Sequence, residues 1–80
     1  MVSTVLLLDT IDLVREFVDI ASTKDFSIYL RSGDIVVDAK SIMSVFGLDL
    51  TKPVTMEADI KAGFTFLKQI DKFVYKNKHK

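Results

Sequence analysis

Phe26-Ser27-Ile28-Tyr29-Leu30 alternates apolar and polar residues with period two, and Ile35-Val36-Val37 resumes an apolar run after Ser32-Gly33-Asp34. Side chains on a strand alternate between its two faces, so Phe26, Ile28 and Leu30 should point into a core while Ser27 and Tyr29 face outward. Gly33 is free to adopt positive φ, which a tight reversal requires. Residues 26–37 are therefore expected to form a β-hairpin. The apolar face of this hairpin has to be buried together with those of the other elements.

The flanking segments supply those faces. Ser3-Thr4-Val5-Leu6-Leu7-Leu8 reads as a short buried strand bounded by the turn and cap residues Asp9 and Thr10. From about Thr10 to Ser22, Leu13, Val14, Phe17, Ile20 and Ala21 recur at helical spacing. Asp9 or Thr10 can cap this helix, and Asp12 sits favourably in its first turn. Thr51-Lys52-Pro53 closes a loop, and Val54-Thr55-Met56-Glu57-Ala58 alternates again. Asp59 is a cap for a last helix expected to run to about Lys76. In it Ile60, Gly63, Phe64, Leu67, Ile70 and Val74 trace one stripe, widened by Phe66 and Phe73. The order strand, helix, strand, strand, helix, strand, helix predicts an α+β fold, a small antiparallel sheet with helices on one face.

Length and charge narrow the function. Eighty residues predict one domain, with roughly 60% of its unfolded surface buried on folding. The 49% hydrophobic content suffices for a compact core. There is no cysteine, so neither a disulfide nor a thiolate metal site is available, which suits a reducing cytosol. Val5-Leu6-Leu7-Leu8 is too short for a signal peptide or a membrane span, and no membrane association is expected. A cytoplasmic monomer is the expectation. Residues 1–60 hold ten acidic and five basic side chains, net −5, while residues 61–80 hold six lysines and Asp71, net +5. The acidic body argues against nucleic acid as a partner, and the lysines read as cations finishing the last helix.

The residue inventory offers little to catalysis. His79 is the lone histidine and lies one residue from the end of the sequence, a position where a catalytic base is not expected to be held rigidly. No acidic or histidine cluster has metal-ligand spacing, and the three glycines are too far apart for a phosphate loop. No cofactor and no enzymatic activity are expected.

The segment that remains is Asp38-Ala-Lys-Ser-Ile-Met-Ser-Val-Phe-Gly-Leu-Asp-Leu50, a short helix that Asp38 or Ser41 can cap and Gly47 can end. Val45 and Leu48 are expected to face inward, Met43 and Phe46 at least partly outward. Ser41 has two readings. It is either an ordinary cap, or a hydroxyl that can accept a phosphate without melting the helix, placing about two negative charges beside Ile42, Met43 and Phe46.

Lys40-Ser41-Ile42-Met43 resembles the Lys-Ser-Ile-Met motif of HPr, the histidine-containing phosphocarrier of the bacterial sugar phosphotransferase system. The similarity extends to the order of elements, Ala21-Ser22 closing the first helix, the Gly33 hairpin, the Asp59 cap and Ala62, although the 49–53 loop is shorter than usual. The resemblance implies an open-faced two-layer sandwich, β-α-β-β-α-β-α, with a four-stranded antiparallel sheet of order 1-4-2-3 and three helices on one face. It implies that Ser41 corresponds to the serine phosphorylated by an ATP-dependent HPr kinase. It further implies that Ile42, Met43 and, more loosely, Phe46 match the apolar patch that docks enzyme I, that kinase and transcriptional regulators, and Lys40 beside them is expected to belong to the same partner-binding surface.

The sequence departs from the family where histidine phosphotransfer would occur. Counted back from Ala21-Ser22, the phosphoacceptor position falls at or near Thr10, and Asp12 stands about where the family has an arginine. A hydroxyl without a nearby base is a poor nucleophile, and its phosphate ester would not pass the group on. A carboxylate in place of a guanidinium repels phosphate, which weighs against enzyme I as a partner and against regulators that use the same arginine. The expected function is that of an HPr-like, phosphotransferase-system-related binding module, regulated at Ser41. The alternatives are a phosphocarrier in sugar uptake, or an orphan interaction domain in which Ser41 is only a cap.

Overall fold

The computed structural model describes residues 1–60 and 64–76. Its elements are β1 (Val2–Leu6), α1 (Ile11–Ser22), β2 (Ile28–Ser32), β3 (Ile35–Asp38), α2 (Ile42–Phe46), β4 (Val54–Ala58) and α3 (Phe64–Gln69), followed by a 3₁₀ turn over Asp71–Phe73. The strands form one antiparallel sheet in the order β1-β4-β2-β3. The expected α+β architecture and strand order are therefore observed.

Alternation along the strands explains why the sheet has one wet face and one dry face. Ile28 and Leu30 of β2, and Val54, Met56 and Ala58 of β4, are buried, as is Leu6 of β1. They share a core with Val14, Phe17, Val18 and Ala21 of α1, Val45 of α2 and Phe66 of α3. Between them Val5, Tyr29 and Arg31 are exposed and Glu57 is half-buried. On that opposite side Arg31 Nη2 lies 3.2 Å from Glu57 Oε1. The reversal between β2 and β3 uses Gly33 at φ +62° as its first central residue, and Asp34 stays at negative φ, the pattern of a type II′ hairpin turn.

Three boundaries differ from the sequence expectation. First, β1 spans Val2–Leu6 rather than residues 3–8. Leu6 pairs with Val54, so the next rung would meet Pro53, which has no N–H to give the ladder. The Leu7 N–H instead donates to the Phe73 carbonyl at 2.9 Å. Second, Phe26 precedes β2 and is half-buried rather than a core strand residue. It packs edge-on against Phe66 with ring centroids 5.4 Å apart.

Third, α3 ends at Gln69, not near Lys76. Beyond Ile70 the chain tightens into the 3₁₀ turn and becomes extended. Val74 then bridges Leu6, and the Tyr75 N–H donates to the Val5 carbonyl at 2.9 Å. The outer edge of β1 offers unpaired backbone groups that a continuing helix could not have satisfied. Lys72 and Lys76 consequently lie beyond the helix. Lys72 pairs with Glu16 at 2.9 Å and Lys76 with Asp71 at 3.8 Å. Of the expected stripe, Gly63 and the side chain of Phe64 fall outside the described residues, as do Ala62 and His79. No described helix is long and apolar enough to cross a membrane.

Candidate functional site

The junction between β3 and α2 is built from local hydrogen bonds. The Ala39 N–H donates to the Ile28 carbonyl at 2.9 Å, which buries Ala39 against the sheet. Asp38 does not cap α2. Its Oδ1 accepts the Lys40 N–H at 2.9 Å, a turn in which the carboxylate mimics a backbone acceptor. The Asp38 carbonyl takes the Ser41 N–H at 3.0 Å. The side chain of Lys40 runs back over this turn, and its Nζ donates to the Lys24 carbonyl at 2.8 Å. The Lys40 ammonium thus ties the loop after α1 to the entry of α2.

Ser41 occupies the N-cap position of α2, with φ −104° and ψ 101°, and its carbonyl accepts the Val45 N–H at 3.0 Å. Its hydroxyl does not cap the helix. It is directed at the hydroxyl of Ser44, with the two Oγ atoms 3.1 Å apart. Ser44 is the residue that sequence reasoning passed over. The i, i+3 spacing from Ser41, which puts both side chains on one side of a helical turn, was the available signal.

The apolar residues of α2, with Leu48 just beyond it, divide as the spacing predicts, with one refinement. Val45 and Leu48 are buried. Met43 is 78% exposed and Phe46 41% exposed. Ile42 is only half-accessible and packs against the core, so the face turned outward is carried mainly by Met43 and Phe46. Gly47 ends the helix at φ −77°, in the right-handed region. A Cβ there would lie 3.2 Å from the Ser44 carbonyl oxygen, so close approach rather than positive φ is what a side chain at this position would disturb.

α1 packs against α2, and its start is the other region singled out by the sequence. Thr10 is the N-cap at φ −131°, ψ 155°, and its Oγ1 accepts the Leu13 N–H at 3.1 Å. Asp12 lies in the first turn, where a negative charge complements the helix dipole. Between them Ile11 is 63% exposed, off the inward stripe. Thr10 therefore has a structural task, because its oxygen is engaged in holding the helix end. Among the described residues, no group of three or more His, Asp or Glu side chains is gathered as a metal site.

No protein-family model matches the sequence, and no curated protein matches it either. Among solved structures, the chain is similar to the crystal structure of HPr-C-His from Thermoanaerobacter tengcongensis, at a TM-score of 0.76 and 20% sequence identity. The likeness covers 92% of this chain and 91% of that one. A likeness of that extent, together with the β1-β4-β2-β3 sheet order, establishes that this chain has the HPr-like fold.

Proposed function

We propose that the protein is an HPr-like regulatory binding module of the bacterial phosphotransferase system, one that does not carry out histidine phosphotransfer and that is switched by phosphorylation of Ser41. The observation that carries this reading is the exposure of Met43 and Phe46 on the same short helix that Ser41 opens. Isolated exposed apolar residues are ordinary. Here two large ones adjoin an accessible hydroxyl that does not serve as a cap. That combination favours a switch over the reading of Ser41 as a cap alone.

The chemistry is electrostatic. A phosphate adds about 1.5 to 2 negative charges and three strong acceptor oxygens. Beside Met43 and Phe46 it changes which protein surface can desolvate against them, and it favours a partner that brings an arginine or a lysine. The partners proposed are an HPr kinase and a transcriptional regulator. Enzyme I fits poorly, because Asp12 offers no fork for a phosphate and Thr10 is engaged at the helix end. The protein is not an enzyme in this reading. It acts in the cytoplasm as a monomer, without a cofactor.

Intact mass tests the reading directly. Incubation with phosphoenolpyruvate and enzyme I is expected to leave the mass unchanged. Incubation with ATP and HPr kinase is expected to add one phosphate at Ser41, and the Ser41→Ala variant should take none. An acid-labile phosphate from the first mixture would restore the phosphocarrier reading. The absence of an adduct from both mixtures, with no binding to a regulator, would leave the orphan interaction domain.

A further inference from the structure

We infer that Ser44 is the positioning residue for a phosphate carried on Ser41, an inference that rests on the reading of Ser41 as the modified hydroxyl. The two Oγ atoms are 3.1 Å apart, a hydrogen bond in which either hydroxyl can be the donor. Ser44 is exposed and Ser41 half-accessible, so a phosphate at this pair displaces nothing from the core. Lys40 Nζ, the neighbouring cation, gives one of its three N–H groups to the Lys24 carbonyl. The side-chain partner that Ser41 holds is the neutral hydroxyl of Ser44, from the same helical turn.

Modification fixes the direction of this hydrogen bond. Ser41 Oγ attacks the γ-phosphorus of a nucleoside triphosphate. The Oγ–P bond forms as the bond from phosphorus to the β–γ bridging oxygen breaks, the nucleoside diphosphate leaves, and the hydroxyl proton passes to a base supplied by the kinase. The ester oxygen then has no proton to donate. Ser44 is left as the donor of the pair and gives its hydroxyl to the phosphate. A hydrogen bond to the charged form of an acid favours that form, so Ser44 holds the phosphate as the dianion and limits the directions in which it can point.

The test uses full-length protein in which phosphoserine is incorporated at position 41 during synthesis, so that no kinase is needed. The phosphorus resonance is titrated in the parent, Ser44→Ala and Ser44→Thr forms, against a second ionisation ordinarily near about 6. Ser44→Ala is expected to raise the midpoint by about half a pH unit, and Ser44→Thr, which keeps the hydroxyl, to restore the parent value. Equal midpoints in all three forms, or a rise that threonine fails to restore, would overturn the role of Ser44. Failure of kinase and ATP to label Ser41 is a separate result, and it overturns the reading of Ser41 instead.

Discussion

Phe17 of α1 and Phe73 of the 3₁₀ turn meet edge to face, with ring centroids 5.7 Å apart and planes inclined by 82°. Both are fully buried. Leaving the helix at Gln69 is what brings Phe73 to this position, so the contact measures how well the last segment is docked. Phe73→Ala is expected to cost about 3–5 kcal/mol, the range for deleting a buried aromatic ring, and Phe73→Leu considerably less. Denaturant unfolding read by circular dichroism checks both. A loss below about 1 kcal/mol for the alanine form would mean that the segment contributes little to the core.

Two hydroxyls at helix starts should behave differently. Thr10 caps α1 through the Leu13 N–H, whereas Ser41 makes no capping bond to α2. Thr10→Ala should therefore lose about 1 kcal/mol. Ser41→Ala should stay within about 0.5 kcal/mol of the parent. Parallel urea melts decide the matter, and equal losses would show that Ser41 caps its helix in solution.

Met43 and Met56 offer a comparison at constant chemistry. Met43 is 78% exposed and Met56 is fully buried between β1 and β2. Met56→Ala is expected to cost about 2–5 kcal/mol, Met43→Ala no more than about 0.5 kcal/mol. If Met43 serves docking, its alanine form keeps its thermal midpoint yet loses binding to HPr kinase, as read by titration calorimetry.

Asp49 carries a pH signature. Its carboxyl is held below the ordinary range, first by the Thr51 hydroxyl at 2.6 Å, then by the Thr51 N–H at 3.2 Å, with Lys52 adding a smaller pull. A carboxylate with a depressed folded-state pKa stabilises the fold at pH above its unfolded-state value, and that contribution is lost as pH falls through the folded-state value. Carbon-detected titration should find Asp49 below a typical aspartate. Thr51→Val, which removes the strongest bond, should raise it toward the ordinary value.

Much of this architecture is legible in local sequence. The period-two runs through Ile28 and Leu30, and through Val54, Met56 and Ala58, define which strand faces are dry. Thr10 and Gly33 mark a helix start and a turn by their own chemistry. The end of the chain is harder to read for a physical reason. Ile70, Phe73 and Val74 are spaced three and four apart, which fits a continuing helix as well as a 3₁₀ turn followed by an extended residue. What decides between them is the unpaired edge of β1, distant in sequence. Pro53 shortens β1 in the same non-local way. At the candidate site the exposure of Met43 and Phe46 follows from helical spacing. The orientation of the Ser41 hydroxyl does not, because a cap and a bond to Ser44 are both open to a serine at that position.

The closure of the β1 edge by Val74 and Tyr75 also dictates an order of events during synthesis. β1 can find neither of its neighbours when it emerges from the ribosome, since one is β4 and the other is the segment 73–75. The β2–β3 hairpin and α1 need only nearby residues, so they can organise on the nascent chain. The sheet must wait for β4, which ends at Ala58, and the outer edge of β1 stays open until residues 73–75 follow. Contacts of such long sequence separation slow folding, and they leave that edge available to chaperones until residue 75 has cleared the exit tunnel.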